Sequence, residues 1–200
     1  MSGREIWRVS YPVTFPEGFS NVMRPVYGAG LLFISGGFNV PSFLAVRPDG
    51  AGDVTKTHIV WTLSRGVPFT PSPLVVDNKL IVNPGGPAAS VVALDPETGR
   101  ELWAFDPKID KSRRFANLMV NRGVAFWHAG GRVGVCARRV FIATLDARLI
   151  ALDFATGQRC ADFGLRGEVN LLDGIEHLVD PRIGRLGHVD DHEPLSSACD

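Results

Sequence analysis

Apolar residues in this chain come in short runs, at 30–34, 74–76, 79–82, 91–94, 139–144 and 149–152. Each run is closed by a turn signal such as Asp77-Asn78, the stretch from Asp95 to Gly99, or the stretch from Asp153 to Gly157. Runs of this length, bounded by Asp, Asn, Gly and Pro, predict strands rather than helices. All of them fall far short of the roughly 18 apolar residues that a membrane-spanning helix needs.

The runs repeat as units. VVALDPETGRELW, from Val91 to Trp103, is matched 58 positions later by LIALDFATGQRCA, from Leu149 to Ala161, with Asp, Thr and Gly in register. Weaker copies are FLAVRPDG from Phe43 to Gly50, followed after an insertion by Ile59-Val60-Trp61, and the opening Gly3-Arg4-Glu5-Ile6-Trp7. In each full unit an apolar strand ends at an aspartate able to hold its own turn backbone, and Thr-Gly supplies the positive φ that reverses the chain. The strand that follows carries Trp7, Trp61 or Trp103 into the next layer. All four tryptophans, Trp127 included, are expected in the core between layers rather than stacked on a ligand. Short strands recurring every 42 to 58 residues have the period of a four-stranded propeller blade. A β-sandwich would supply similar strands without the shared turn chemistry. The expected architecture is therefore all-β, a partial β-propeller of about four blades over residues 1–175, followed by an irregular tail over 176–200.

Composition supports this picture and narrows the function. With 22 glycines and 14 prolines among 200 residues, 45% hydrophobic and 21% charged, the chain has the make-up of a turn-rich globular protein. Its 21 Lys and Arg balance 21 Asp and Glu, which leaves no electrostatic footprint for nucleic acid or an anionic membrane. The opening MSGREIWRV has no basic segment followed by an apolar one, so no secretory signal is expected in the chain as written. Cys136, Cys160 and Cys199 are too few for a disulfide scaffold, and their spacings match no zinc pattern. Cys136 and Cys160 flank one hairpin: side by side in an oxidising compartment they form a disulfide, and otherwise they are small buried hydrophobes. Asp146 and Arg148, at the turn before LIAL, read as an exposed ion pair. His188, Asp190, Asp191, His192 and Glu193 are metal-compatible side chains, but Gly184, Gly187 and Pro194 around them signal no helix, and a solvated terminus is expected.

These units resemble the repeats of pyrroloquinoline quinone (PQQ) propeller proteins. VNRGVAFW (120–127), CARRVFIATLDARLIALD (136–153) and CADFG (160–164) extend the likeness. Over residues 70–175 the chain resembles the membrane-bound PQQ-dependent glucose dehydrogenases and the related quinoprotein alcohol dehydrogenases. Residues 1–83 are more like non-enzymatic PQQ-like repeat proteins, with a junction near 83–103. The resemblance implies oxidation of a sugar or alcohol with electrons passed to quinone. It implies PQQ as cofactor, with Ca2+ in the intact family, and a site outside the cytoplasmic membrane. It assigns Arg122, with Asn121, to the cofactor, and a guanidinium does suit the oxygens of a planar tricarboxylate quinone.

Other parts of that machinery are missing. The family's adjacent cysteines would fall at Ala116 and Asn117, and the glucose enzymes' histidine at Leu118. The base and the calcium ligands belong to later blades, and without a base an alcohol has no proton acceptor. Such dehydrogenases close a ring of eight blades, so a chain of this length holds about half a ring, and it opens in mid-repeat at Gly3. The implied function is a partial dehydrogenase with weak or absent activity, completed by further blades or by self-association. The alternative is a non-catalytic repeat module that binds a protein partner.

Overall fold

The structure is a computed structural model that describes residues 3–10, 22–36, 42–68, 70–84, 90–109 and 123–174. The described residues contain strands and turns and no helix. Their fourteen strands form three four-stranded antiparallel sheets and one two-stranded parallel pair. Sheet I runs β2 (Val26–Gly28), β3 (Leu31–Gly36), β4 (Ser42–Val46) and β6 (Ile59–Leu63). Sheet II runs β7 (Leu74–Val76), β8 (Lys79–Val82), β9 (Val91–Leu94) and β10 (Glu101–Phe105). Sheet III runs β11 (Ala125–His128), β12 (Arg138–Ala143), β13 (Arg148–Asp153) and β14 (Glu168–Asn170). Each sheet is a simple meander, the form of a propeller blade, and together they make an open array.

The fourth part-copy supplies one strand. Gly3 to Trp7 has no apolar run before it to pair with, and it yields only β1 (Trp7–Arg8), which lies parallel to β5 (Gly52–Asp53). β5 belongs to the insertion between Gly50 and Ile59. Its backbone is bound to β1 by Gly52 N–H to Ile6 O at 3.0 Å and Val54 N–H to Arg8 O at 2.9 Å. Val54 is thereby buried against Leu44 and Val46 on the back of sheet I, with Trp7 packed at the edge of the same cluster.

Burial on both faces explains why the central strands read as unbroken apolar runs instead of alternating ones. All four residues of β9 are buried. Val92 and Leu94 face sheet I, where they meet Phe33, Phe43 and Ala45. Val91 and Ala93 face sheet III, where they meet Ile142, Ile150 and Leu152. The edge strands β2 and β11, first in their sheets, are more exposed than the middle ones.

Candidate functional site

The turn that defines the repeat also joins the sheets. In sheet II, Asp95 Oδ1 accepts from the backbone N–H groups of Glu97 and Thr98 at 3.0 and 2.9 Å. In sheet III, Asp153 Oδ1 accepts from the N–H groups of Ala155 and Thr156 at 3.1 and 2.9 Å, and from the Thr156 hydroxyl at 2.9 Å. Each turn ends on a glycine in the left-handed region, Gly99 at φ +70° and Gly157 at φ +72°. Their missing side chains make the seat for the previous sheet's tryptophan: a Cβ on Gly99 would lie 2.9 Å from the Trp61 ring, and one on Gly157 would lie 2.5 Å from the Trp103 ring. Both indoles then donate into the same turn, Trp61 Nε1 to Pro96 O at 2.9 Å and Trp103 Nε1 to Phe154 O at 3.2 Å. The corresponding position in sheet III is Ala161, 58 residues after Trp103, so the described chain has two such locks.

Asp153 does more than Asp95. Its second oxygen, Oδ2, accepts from Cys136 N–H at 2.7 Å and so ties the loop before β12 to the turn after β13. Burial raises its pKa, while hydrogen bonds from Cys136 N–H, the Thr156 hydroxyl and the turn backbone lower it, and the balance lies below the usual carboxylate range. A carboxyl depressed in the folded state contributes stability above its unfolded pKa of about 3.9 and loses it as pH falls through the lower folded value. Asp153→Asn sets an amide N–H2 against one of these N–H donors. It is expected to cost roughly 1.5–3 kcal/mol at pH 7 and less near pH 3, as read from urea titrations at the two pH values. An equal loss at both would contradict the assignment.

Arg122 and Asn121 lie outside the described residues, as do Ala116, Asn117, Leu118, the His188–Glu193 group, Cys199 and the rest of the 176–200 tail. Their neighbour Gly123 is described, two residues before the start of β11. The same end of sheet III carries a network built on Arg148. Its Nε and Nη2 donate to Asp146 Oδ2 at 3.0 and 2.7 Å, its Nη1 to Glu168 Oε2 at 3.1 Å, and its Nη2 also to Pro107 O at 2.8 Å. Asp146 in addition takes the Thr144 hydroxyl. The expected exposed ion pair is thus corrected: the Arg148 and Asp146 side chains are only 19% and 13% exposed, because Glu168 and Pro107 close over them. Burial raises the Asp146 carboxyl, but hydrogen bonds from Arg148 and Thr144 hold it below its ordinary range. Arg159 shares Glu168 Oε2 at 2.8 Å and stacks over the Phe105 ring, extending the clamp from sheet II to sheet III.

These residues do not make a seat for PQQ by themselves. A planar tricarboxylate needs free donors, and the Nε, Nη1 and Nη2 atoms of Arg148 already serve Asp146, Glu168 and Pro107 O. Asn83, which follows β8, is buried, and its Nδ2 donates to Ser90 O at 2.9 Å. Its Oδ1 has no partner, but it is an acceptor and suits a hydroxyl or a cation rather than a carboxylate. At the other end of β11 a cleft of about 470 Å3 lies between Asp77 and the loop before β12, lined in part by His128 and Arg132. Its Arg138 is paired with Asp77 at 2.5 Å and lies over the Phe154 ring.

Two expectations about single residues resolve here. Cys136 and Cys160 are joined in a disulfide with Cα atoms 5.7 Å apart, on the outer face of sheet III. Trp127 is not core: it is 45% exposed on that face, with the Arg139 guanidinium over its ring. It lies on β11, the first strand of its sheet, whereas Trp61 and Trp103 lie on β6 and β10, the last strands of theirs.

Stacked four-stranded sheets pinned by a tryptophan on the following sheet's turn define a β-propeller array. This chain belongs to the PQQ glucose/ethanol/alcohol dehydrogenase β-propeller domain family, which matches residues 52–187. The match begins upstream of residue 70, where the enzyme-like resemblance starts, and runs past 175. The quinoprotein glucose dehydrogenase A of Acinetobacter calcoaceticus is 30% identical over 142 residues, covering 60% of this chain and 17% of that protein. The 1-butanol dehydrogenase (cytochrome c) of Thauera butanivorans is 38% identical over 120 residues, covering 57% of this chain and 15% of that one. The solved quinohemoprotein alcohol dehydrogenase ADHIIG of Pseudomonas putida HK5 aligns with a TM-score of 0.50 at 17% identity, covering 76% of this chain and 21% of its own, and supports the fold alone. The chain therefore spans less than a quarter of each of these relatives. No helix among the described residues is long and apolar enough to cross a membrane.

Proposed function

We propose that this chain is a partial PQQ-dependent dehydrogenase-like propeller, whose intact relatives oxidise a sugar or alcohol and pass the electrons to quinone. The observation that carries this reading is the family match over residues 52–187, which takes in the Asn121-Arg122-Gly123 motif. In this reading Asn121 and Arg122 contact PQQ, Arg122 by a charge-assisted pair to its oxygens, and Ca2+ accompanies the quinone as in the intact family. Further blades or a second copy complete the ring. Turnover by the chain alone is weak or absent, because Ala116, Asn117 and Leu118 stand where the family's cysteines and histidine would be.

A second reading, a non-catalytic repeat module with a protein partner, draws support from the Arg148 network, in which the donors near Gly123 already have partners. One experiment separates the two. Purified protein is given PQQ and Ca2+, and tryptophan fluorescence is followed together with dye reduction by glucose or ethanol. Saturable quenching with little dye reduction is expected from the partial dehydrogenase. No response in either channel would favour the binding module.

A further inference from the structure

The three cysteines give no zinc spacing, yet the fold brings a third metal-compatible group to two of them. The Sγ atoms of Cys136 and Cys160 and a carboxylate oxygen of Asp162 all lie within 4.8 Å of one another. We propose that reducing the Cys136–Cys160 disulfide turns this corner of sheet III into a site for a thiophilic divalent cation, with both thiolates and the Asp162 carboxylate as ligands.

Both cysteines are held by bonds that do not depend on the disulfide. Cys136 N–H donates to Asp153 Oδ2 at 2.7 Å, and Cys160 N–H donates to Ala151 O at 2.9 Å. Reduction therefore leaves the two sulfurs facing each other. Zinc ligands about 2.0–2.3 Å from a tetrahedral ion stand roughly 3.3–3.8 Å apart. The freed sulfurs need only separate from bonding distance to reach that spacing, and the Asp162 carboxylate, within 4.8 Å of them, needs a shift of at most about 1–1.5 Å. Arg139 Nη2 holds Asp162 Oδ2 at 2.5 Å, which leaves Oδ1 for the metal.

Access and charge agree with this assignment. Both cysteines are buried, whereas the Asp162 side chain is 58% exposed, so the ion would enter from the aspartate side and keep a water as fourth ligand. Two thiolates, one carboxylate and the Arg139 guanidinium sum to a charge that a divalent cation neutralises. A two-sulfur, one-oxygen set selects Zn2+ or Cd2+ over Ca2+ or Mg2+, so the site is separate from any calcium that accompanies a quinone. The chemistry balances: a phosphine and water reduce the disulfide to two thiols and leave the phosphine oxide, and metal binding then releases the two thiol protons to solvent.

The test uses the full chain reduced with a phosphine that does not itself bind the metal, titrated with Cd2+ and followed by the thiolate-to-cadmium charge-transfer absorption. One equivalent is expected to saturate the band while the far-ultraviolet circular dichroism keeps its β form, and the oxidised protein should give no band. Cys136→Ser should weaken Cd2+ binding at least about 100-fold, Asp162→Asn about tenfold with the band retained, and Cys199→Ser not at all. Absence of a band in reduced, folded protein would overturn the proposal. So would a band that needs Cys199, appears only after the β spectrum is lost, or is unchanged in affinity in Asp162→Asn.

Discussion

Trp103→Ala should lower the free energy of unfolding by about 3–5 kcal/mol, the range for deleting a large buried aromatic side chain. The ring is almost fully buried between sheets II and III and covers the bare backbone of Gly157, and its Nε1 binds Phe154 O. The mutant loses the packing, leaves a carbonyl without its donor and opens a cavity at a sheet junction. Guanidinium denaturation followed by circular dichroism measures the loss directly. Gly157→Ala should also destabilise, because the new Cβ meets the ring and because alanine is strained at φ +72°. Only the second of these costs persists once the indole is gone. The double mutant is thus expected to be less damaged than the sum of the single mutants, with a coupling of roughly 1 kcal/mol or more. Strict additivity would mean that ring and turn do not form one unit.

Removing the disulfide should have the second-largest effect. Cys136 and Cys160 close a loop of sequence separation 24, for which the chain-entropy account gives about 3 kcal/mol. Cys160→Ser is expected to lose about that much relative to the oxidised protein, measured by the same denaturation. A reductant that lowers the wild-type midpoint should leave the mutant's unchanged. If wild type and mutant unfold alike without reductant, the bond does not constrain the chain.

The sequence foretold the part of the fold that is written locally. Asp95 and Asp153, each followed by Thr-Gly, fix a turn through contacts within four residues, so strands and blade form could be read from spacing alone. Trp103 was legible as an interlayer residue because it closes the repeat unit just after the Asp95 turn, and Trp61 because it closes the weaker copy after an insertion. Long-range closure was not legible. Asp146 and Arg148 look like an exposed pair until Glu168 of β14, 20 residues on, and Pro107, 41 residues back, cover them. Asp162 looks like one more surface carboxylate until the hairpin of β12 and β13 brings Cys136 beside Cys160. Trp127 has the residue type of a lock but lies on the first strand of its sheet. For the quinone site, Asn121 and Arg122 are motif residues whose role rests on resemblance, and the described residues around Gly123 add engaged donors rather than a cradle.

The proposed engagement of PQQ through Arg122 is tested most directly by equilibrium binding of PQQ, in the presence of Ca2+, to wild type and Arg122→Ala. Loss of a charge-assisted pair is expected to weaken binding at least about tenfold, with the mutant's unfolding midpoint unchanged. Equal affinity in the two proteins, or no saturable binding to wild type, would contradict it.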